Sequence, residues 1–276
     1  DFFDKNVSID FVANDLNATS EFPVNKIDFQ YSDFTNQVYG ETLFNRIFLL
    51  GIGVEHKFLR YISETIGTDV DNVPRTIFEN TNYFSAFGYV KYDTYDNIFF
   101  PKQGVVFQAD SHLYLLSQGS NNNFEPFTIL KAKAGYAKTF FGKLTGVFTA
   151  ETGFKIGSSS TTSLDFFLGG YGFKQVNNIL PFYGYEALSL RGDTYLKSSI
   201  TLDYEIIKNH HLSLFTNIAN VDDALFQKDD WLKAIPYTGV GVGYGLNTFL
   251  GPLELKYAYA PEREVGELYV RVGFKF

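Results

Sequence analysis

Apolar residues recur at every second position of this chain, segment after segment, up to its last residue. The closing stretch shows it most cleanly. Leu268, Val270, Val272, Phe274 and Phe276 are apolar, and Tyr269, Arg271, Gly273 and Lys275 between them are polar or small. Successive side chains of a strand point to opposite faces, so such a segment is greasy on one side and wet on the other. That suits a wall between lipid and water.

Twelve segments alternate in this way: residues 7–11, 27–31, 44–60, 82–93, 104–115, 127–138, 144–156, 195–206, 212–219, 238–250, 253–259 and 268–276. In one, Lys197, Ser199, Thr201, Asp203 and Glu205 oppose Ile200, Leu202 and Tyr204. In another, Gly239, Gly241, Gly243 and Gly245 oppose Val240, Val242, Tyr244 and Leu246. The links are short at residues 97–102, 140–142, 208–210 and 251–252, and long at 117–125, 157–191 and 220–235. A membrane barrel has this rhythm, with tight periplasmic turns and longer surface loops. A soluble β-sandwich also alternates. Its strands are usually ~5–6 residues, whereas these run nearer the ~9–11 needed to cross a bilayer. The expected fold is therefore all-β: an antiparallel transmembrane β-barrel of a bacterial outer membrane, one domain over residues 1–276, carboxy-terminus periplasmic.

Composition agrees. Aromatics make up 18% of the chain, with 30 Phe, 19 Tyr and a single Trp, and barrels gather aromatics in girdles at both membrane interfaces. No apolar run approaches the ~20 residues of a spanning helix. A net charge of -8 argues against a nucleic-acid partner. With no Cys, there is neither a disulfide framework nor a thiolate metal site. The start, Asp1-Phe2-Phe3-Asp4, has no basic or apolar region of a signal peptide. An amino-terminal part of the parent protein is expected to be missing.

Candidate chemistry is thin. Ser111 precedes His112, but adjacent strand residues point apart, so they form no dyad. Asp93, Asp96 and Asn97 lack the regularity of a calcium loop and read as Asx acceptors that tighten a turn. Arg191-Gly192-Asp193 matches an adhesion tripeptide too short to carry weight, and reads as the entry to the strand from Tyr195. Gly169, Gly170 and Gly184 read as tight backbone turns in the long link, with no phosphate-binding helix after them. No metal and no cofactor is expected. The inward charges, among them Lys131, Lys133, Lys197, Lys256, Arg271, Asp110, Asp203, Glu205 and Glu254, read as a wet interior network of paired groups.

Four landmarks resemble the superfamily that includes the barrel-assembly insertase BamA, its relative TamA and the two-partner secretion transporters. They are the turn Asp93-Thr94-Tyr95-Asp96-Asn97-Ile98-Phe99-Phe100-Pro101-Lys102-Gln103-Gly104, the stretch Phe166-Phe167-Leu168-Gly169-Gly170, the turn Leu250-Gly251-Pro252, and the terminal aromatic. The resemblance implies that the twelve strands are the last twelve of a sixteen-strand barrel. It also implies that residues 157–191 fold inward, and that Phe274 and Phe276 form a carboxy-terminal signal read by barrel-assembly machinery. At one place the chain departs. The family's long loop carries Val-Arg-Gly-Phe or Val-Arg-Gly-Tyr, whose Arg reaches an acidic wall. Here Phe182-Tyr183-Gly184-Tyr185 stands there, and a phenol supplies no fixed charge. Asp203 and Glu205 are the expected wall anchors, with Tyr183, Tyr185 or Arg191 as donors.

This Phe-Tyr-Gly-Tyr version resembles the barrel behind patatin-like phospholipase domains. The implied function is an outer-membrane module that anchors or exports an attached lipid hydrolase. Its other partners would be outer-membrane lipid and the assembly machinery. The chain itself would not be an enzyme, since it shows neither a Gly-x-Ser-x-Gly elbow nor a catalytic Asp. The alternatives are an outer-membrane insertase or protein secretion pore, and a passive porin.

Overall fold

The structure is a computed structural model. It describes residues 2–12, 24–66, 75–119, 123–157, 163–171, 178–225 and 236–273, with backbone alone for 2–12, 24–31, 61, 63–66 and 75–78. Seven strands come first: β1 (Phe2–Val12), β2 (Val24–Phe44), β3 (Phe48–Ile66), β4 (Arg75–Asp93), β5 (Gln103–Gly119), β6 (Phe127–Phe140) and β7 (Leu144–Ile156). The long link holds β8 (Phe166–Leu168), β9 (Ile179–Leu180) and β10 (Leu190–Gly192). The last five are β11 (Thr194–Ile207), β12 (His210–Asp222), β13 (Tyr237–Thr248), β14 (Gly251–Ala260) and β15 (Val265–Val272).

Each strand of the large sheet pairs antiparallel with the next, and β7 pairs with β11 across the long link, from Thr194↔Phe154 to Tyr204↔Leu144. The sheet is all-antiparallel, as the alternation implies. Among the described residues no ladder joins β1 to β15, so the described sheet is curved but not closed into a ring. The curvature is deep. Leu59 of β3 and Ala260 of β14 belong to one buried cluster with the long link between them.

The two faces separate as their side chains require. Outward residues of β15 are bare, with Val270 70% exposed, while Tyr269 and Arg271 turn inward and are half-buried. Exposed large apolar side chains cover the outer face from β2 to β15. The inner face carries the buried charges, including Asp33, Glu55, Lys57, Glu151, Lys197 and Asp203.

Several boundaries differ from the sequence reading. β2 continues to Phe44, where the pattern suggested a strand ending at residue 31. Tyr39 and Leu43 occupy the opposite phase from Phe34 and Val38, which blurs the alternation. The following turn, also missed, is made by Asn45 (φ 50°) and Arg46 (φ 63°), the positive φ that tight hairpins use. Gly251 and Pro252 open β14 and do not form the turn, because Gly251 already pairs with Thr248. The other short turns shift by one to three residues, to 94–102, 141–143 and 208–209.

Candidate functional site

The described part of the long link packs against the inner face of the sheet. Its three short strands form a second sheet in the order β10-β8-β9, with Leu190↔Leu168 antiparallel and Phe167↔Ile179 parallel. Gly169 (φ 138°) lets the chain fold on itself, since a Cβ there would lie 1.9 Å from the Glu186 carbonyl oxygen. Leu164, Phe166, Leu168, Leu180, Phe182 and Tyr185 are almost wholly buried. They pack on wall residues such as Tyr195, whose ring centroid is 4.8 Å from that of Phe166.

The base of the loop is tied by charge. Asp165 takes Lys155 of β7 and two bonds from Arg191, Nε at 3.0 Å and Nη2 at 2.8 Å on one oxygen. Arg191 therefore fastens the loop to itself. Ser163 donates to Glu79 of β4, which also accepts from Tyr83.

The tip, Phe182-Tyr183-Gly184-Tyr185, docks on β12 to β15. Lys256 Nζ lies 3.4 Å from the Tyr183 hydroxyl and 3.0 Å from Glu254 Oε1. It also sits 4.7 Å, 5.3 Å and 5.7 Å from the ring centroids of Tyr171, Tyr183 and Phe215. An ammonium among aromatic faces is held by their quadrupoles. Tyr171 donates to Glu254, and Arg271 Nη1 approaches the same carboxylate at 3.4 Å. The Gly184 amide donates to the Tyr269 hydroxyl at 2.9 Å, and that hydroxyl donates to the Tyr185 carbonyl at 3.3 Å. Asn217 donates to the Tyr183 carbonyl at 3.3 Å, and Tyr185 to Glu262 at 3.1 Å. Burial and the Glu262 carboxylate push the Tyr185 phenol up to about 12. Burial alone would raise Glu262, but hydrogen bonds from its own backbone, Thr238 and Tyr185 hold it below the ordinary carboxylate range.

Asp203 and Glu205 are not the anchors. Asp203 Oδ2 is 2.7 Å from His211 Nδ1. Glu205 accepts from Lys102 Nζ at 2.7 Å and from the Asn209 amide at 3.2 Å. The reason is strand direction: β11 leaves the loop at Thr194, so Asp203 lies about 30 Å further along it. The cation sits on the wall as Lys256, and the loop brings the tyrosines.

The signal that could have located the docking surface was in β13. Four successive inward residues, Gly239, Gly241, Gly243 and Gly245, leave a groove without side chains along its middle. A Cβ on Gly239 would meet the Tyr183 carbonyl oxygen at 2.1 Å, and one on Gly245 would meet the Phe100 ring at 2.7 Å.

Phe100 belongs to a second closure, at the short-turn end. Asp96 Oδ1 accepts the amides of Lys102 (2.8 Å) and Gln103 (3.2 Å). Asn97 Oδ1 accepts those of Phe99 (2.8 Å) and Phe100 (3.0 Å). These are the Asx bonds expected of the turn. They carry it from β4 and β5 across to the far strands. There Phe100 stacks on His211 at 4.0 Å, and Phe99 lies 6.0 Å from the Arg271 guanidinium. Since Arg271 also meets Glu254, a chain of contacts runs from this turn to the loop tip.

The remaining charges pair. Lys131 meets Asp110 at 3.2 Å, and Glu151 holds Lys133 at 3.5 Å and Lys197 at 3.3 Å. His112 turns inward between Glu55 and Asp110, 3.7 Å from each, on the face opposite to Ser111. Among the described residues no group of three His, Cys, Asp or Glu is placed to hold a metal. Phe274 and Phe276 lie outside the described residues.

No curated protein sequence matches the chain. Among solved structures it is similar to BamA from Haemophilus ducreyi lacking POTRA domains 1-3, at 12% identity and a TM-score of 0.59. The match covers 98% of this chain and 57% of that one, so the chain spans little more than half of the length of its structural relative. At that identity the likeness shows the fold alone. The family model of the OMP85 superfamily matches residues 1–276, and the chain belongs to that superfamily.

Proposed function

We propose that this chain is a plugged barrel module of the outer membrane that anchors, or exports, a patatin-like phospholipase domain attached upstream. Membership of the OMP85 superfamily makes it an integral barrel of the bacterial outer membrane. The observation that carries the finer reading is the tip Phe182-Tyr183-Gly184-Tyr185, seated on Lys256 with a tyrosine where the related loops carry arginine. A loop bonded to the wall at both base and tip is a stopper, which suits an anchor better than an open channel. The chain itself catalyses nothing. Four further strands between β1 and β15 would complete a sixteen-strand ring. The short turns and the carboxy-terminus face the periplasm, where assembly machinery reads the last strand through Phe274 and Phe276.

The second reading, an insertase or secretion pore, is favoured by the likeness to a BamA barrel. The residues upstream of Asp1 in the parent protein discriminate the two. A Gly-x-Ser-x-Gly elbow supports the first, and repeated periplasmic transport domains overturn it. Phospholipase activity of the intact protein should vanish with the elbow serine and survive Ser111→Ala and His112→Ala. Loss of activity in either of the latter would place catalysis in the barrel wall.

A further inference from the structure

The outer face of β11 to β14 is not flat. A trough of about 600 Å³ runs across two rows of outward side chains. Tyr204, Leu212 and Tyr244 form one row, and Leu202, Leu214, Val242 and Tyr257 the next, in register across the strands. Val242 is the smallest of its row, and the backbone of Gly243 beside it forms part of the lining. The volume falls within the ~300–1,000 Å³ of sites that hold apolar ligands.

At the short-turn end the lining includes Leu144, and the residue before it is Lys143. Lys143 Nζ donates to the Ile206 carbonyl at 2.9 Å, which sets this ammonium at the entry of the turn that carries Lys208. An ammonium has three donors, so two of Lys143 remain. Lys208 has no ion pair among the described residues, and the nearby carboxylate of Glu205 turns inward to Lys102. His210 Nδ1 is 2.6 Å from the hydroxyl of Tyr244, which lines the trough. Phe141 and Phe249, each 96% exposed, stand at turn tips on either side. Aromatic rings on short turns belong at the headgroup level of a membrane. The chain is acidic overall, at -8, yet this rim carries cations.

We propose that the trough is a binding site for one anionic phospholipid of the leaflet at the short-turn end. An acyl chain would lie along Leu214, Val242 and Tyr257, and the phosphate would rest between Lys143 and Lys208. The site commits to a membrane lipid over free phosphate, because only a lipid fills the apolar trough and meets the cations together. The leaflet rests on the orientation proposed above, in which the short turns are periplasmic.

Native mass spectrometry of the detergent-purified protein, offered equal dioleoyl-phosphatidylglycerol and dioleoyl-phosphatidylcholine, tests the site. The wild-type protein should retain phosphatidylglycerol in preference, by about fivefold for each lysine engaged. The K143Q/K208Q double variant should lose that preference and keep its binding of phosphatidylcholine. Val242→Trp, and separately Leu214→Trp, should lower retention of both lipids, and both sites face outward, where a larger side chain leaves the fold intact. An unchanged preference in the lysine variant, or unchanged retention in both tryptophan variants, overturns the proposal. So does displacement of phosphatidylglycerol by inorganic phosphate alone. Orientation is read separately. The chain has no Cys, so Phe141→Cys gives one thiol, which an impermeant maleimide should not label in intact cells. Labelling there would overturn the orientation and the assigned leaflet, while the mass spectra would still decide the lipid site.

Discussion

Val270 and Arg271 adjoin in sequence and occupy opposite solvents. Val270 stands 70% exposed on the outer face, and Arg271 turns inward to Glu254. The alternation alone placed both, because a strand has only two faces. Val270→Arg should therefore cost roughly 2–4 kcal/mol if the site lies near the bilayer midplane, measured by folding titration in lipid. Full tolerance would mean that Val270 does not face hydrocarbon. Lys256 was legible in the same way as an inward charge. Its three aromatic neighbours were not, since Tyr171 and Tyr183 come from the long loop and Phe215 from β12, which only the fold brings together. Asp203 shows the limit of such reasoning. It is an inward acid as expected, but its depth along β11 gives it to His211 and not to the loop.

The long loop is the element on which function turns. Its length and its many rings marked it in the sequence, because a solvated segment seldom carries so much apolar surface. Deleting residues 178–185 should raise single-channel conductance in planar bilayers, and an unchanged trace would mean that the tip does not obstruct the interior. The Tyr185–Glu262 tie gives the loop a pH dependence. Glu262 titrates lower in the fold than its ordinary 4.5, so its contribution is full above that value and is lost as pH falls through the lowered one. Tyr185 is raised from 10.0 to about 12, so its share is full below 10.0 and is lost as pH rises through about 12. Protection of the loop from protease should hold between those limits and fall outside them. Glu262→Gln should abolish the acid limb, and persistence of that limb would assign it to another carboxylate.

At the scale of the whole molecule, the proposed plugged barrel is obstructed twice: by the loop from one end and by the turn of Phe99 and Phe100 from the other, where Phe100 stacks on His211. Two obstructions in series predict a specific pattern. Phe100→Ala and the loop deletion should each raise conductance modestly, and together by more than their sum, since either alone leaves the other resistance in place. Simple additivity would mean that the turn and the loop do not share one path. Gly239 and Gly245 leave room on one strand for both, the Tyr183 carbonyl at the one and the Phe100 ring at the other.

The sequence by itself determined the all-β class, which face of each segment looks outward, and the presence of one link too long and too aromatic to lie in water. These follow from periodicity and composition, which are local. It also carried the resemblance that membership of the OMP85 superfamily supports. Only the tertiary structure decided what holds the loop, how the turn of Phe99 and Phe100 crosses to β12 and β15, and where the outer face sinks into a trough. Those depend on register and curvature, which set the depth and direction of a side chain and which no single segment contains. The bonds from Lys256 to Tyr183 and from Lys102 to Glu205 join residues 73 and 103 positions apart. A pattern of period two tells which face such residues share, and the curved sheet alone tells which of them meet.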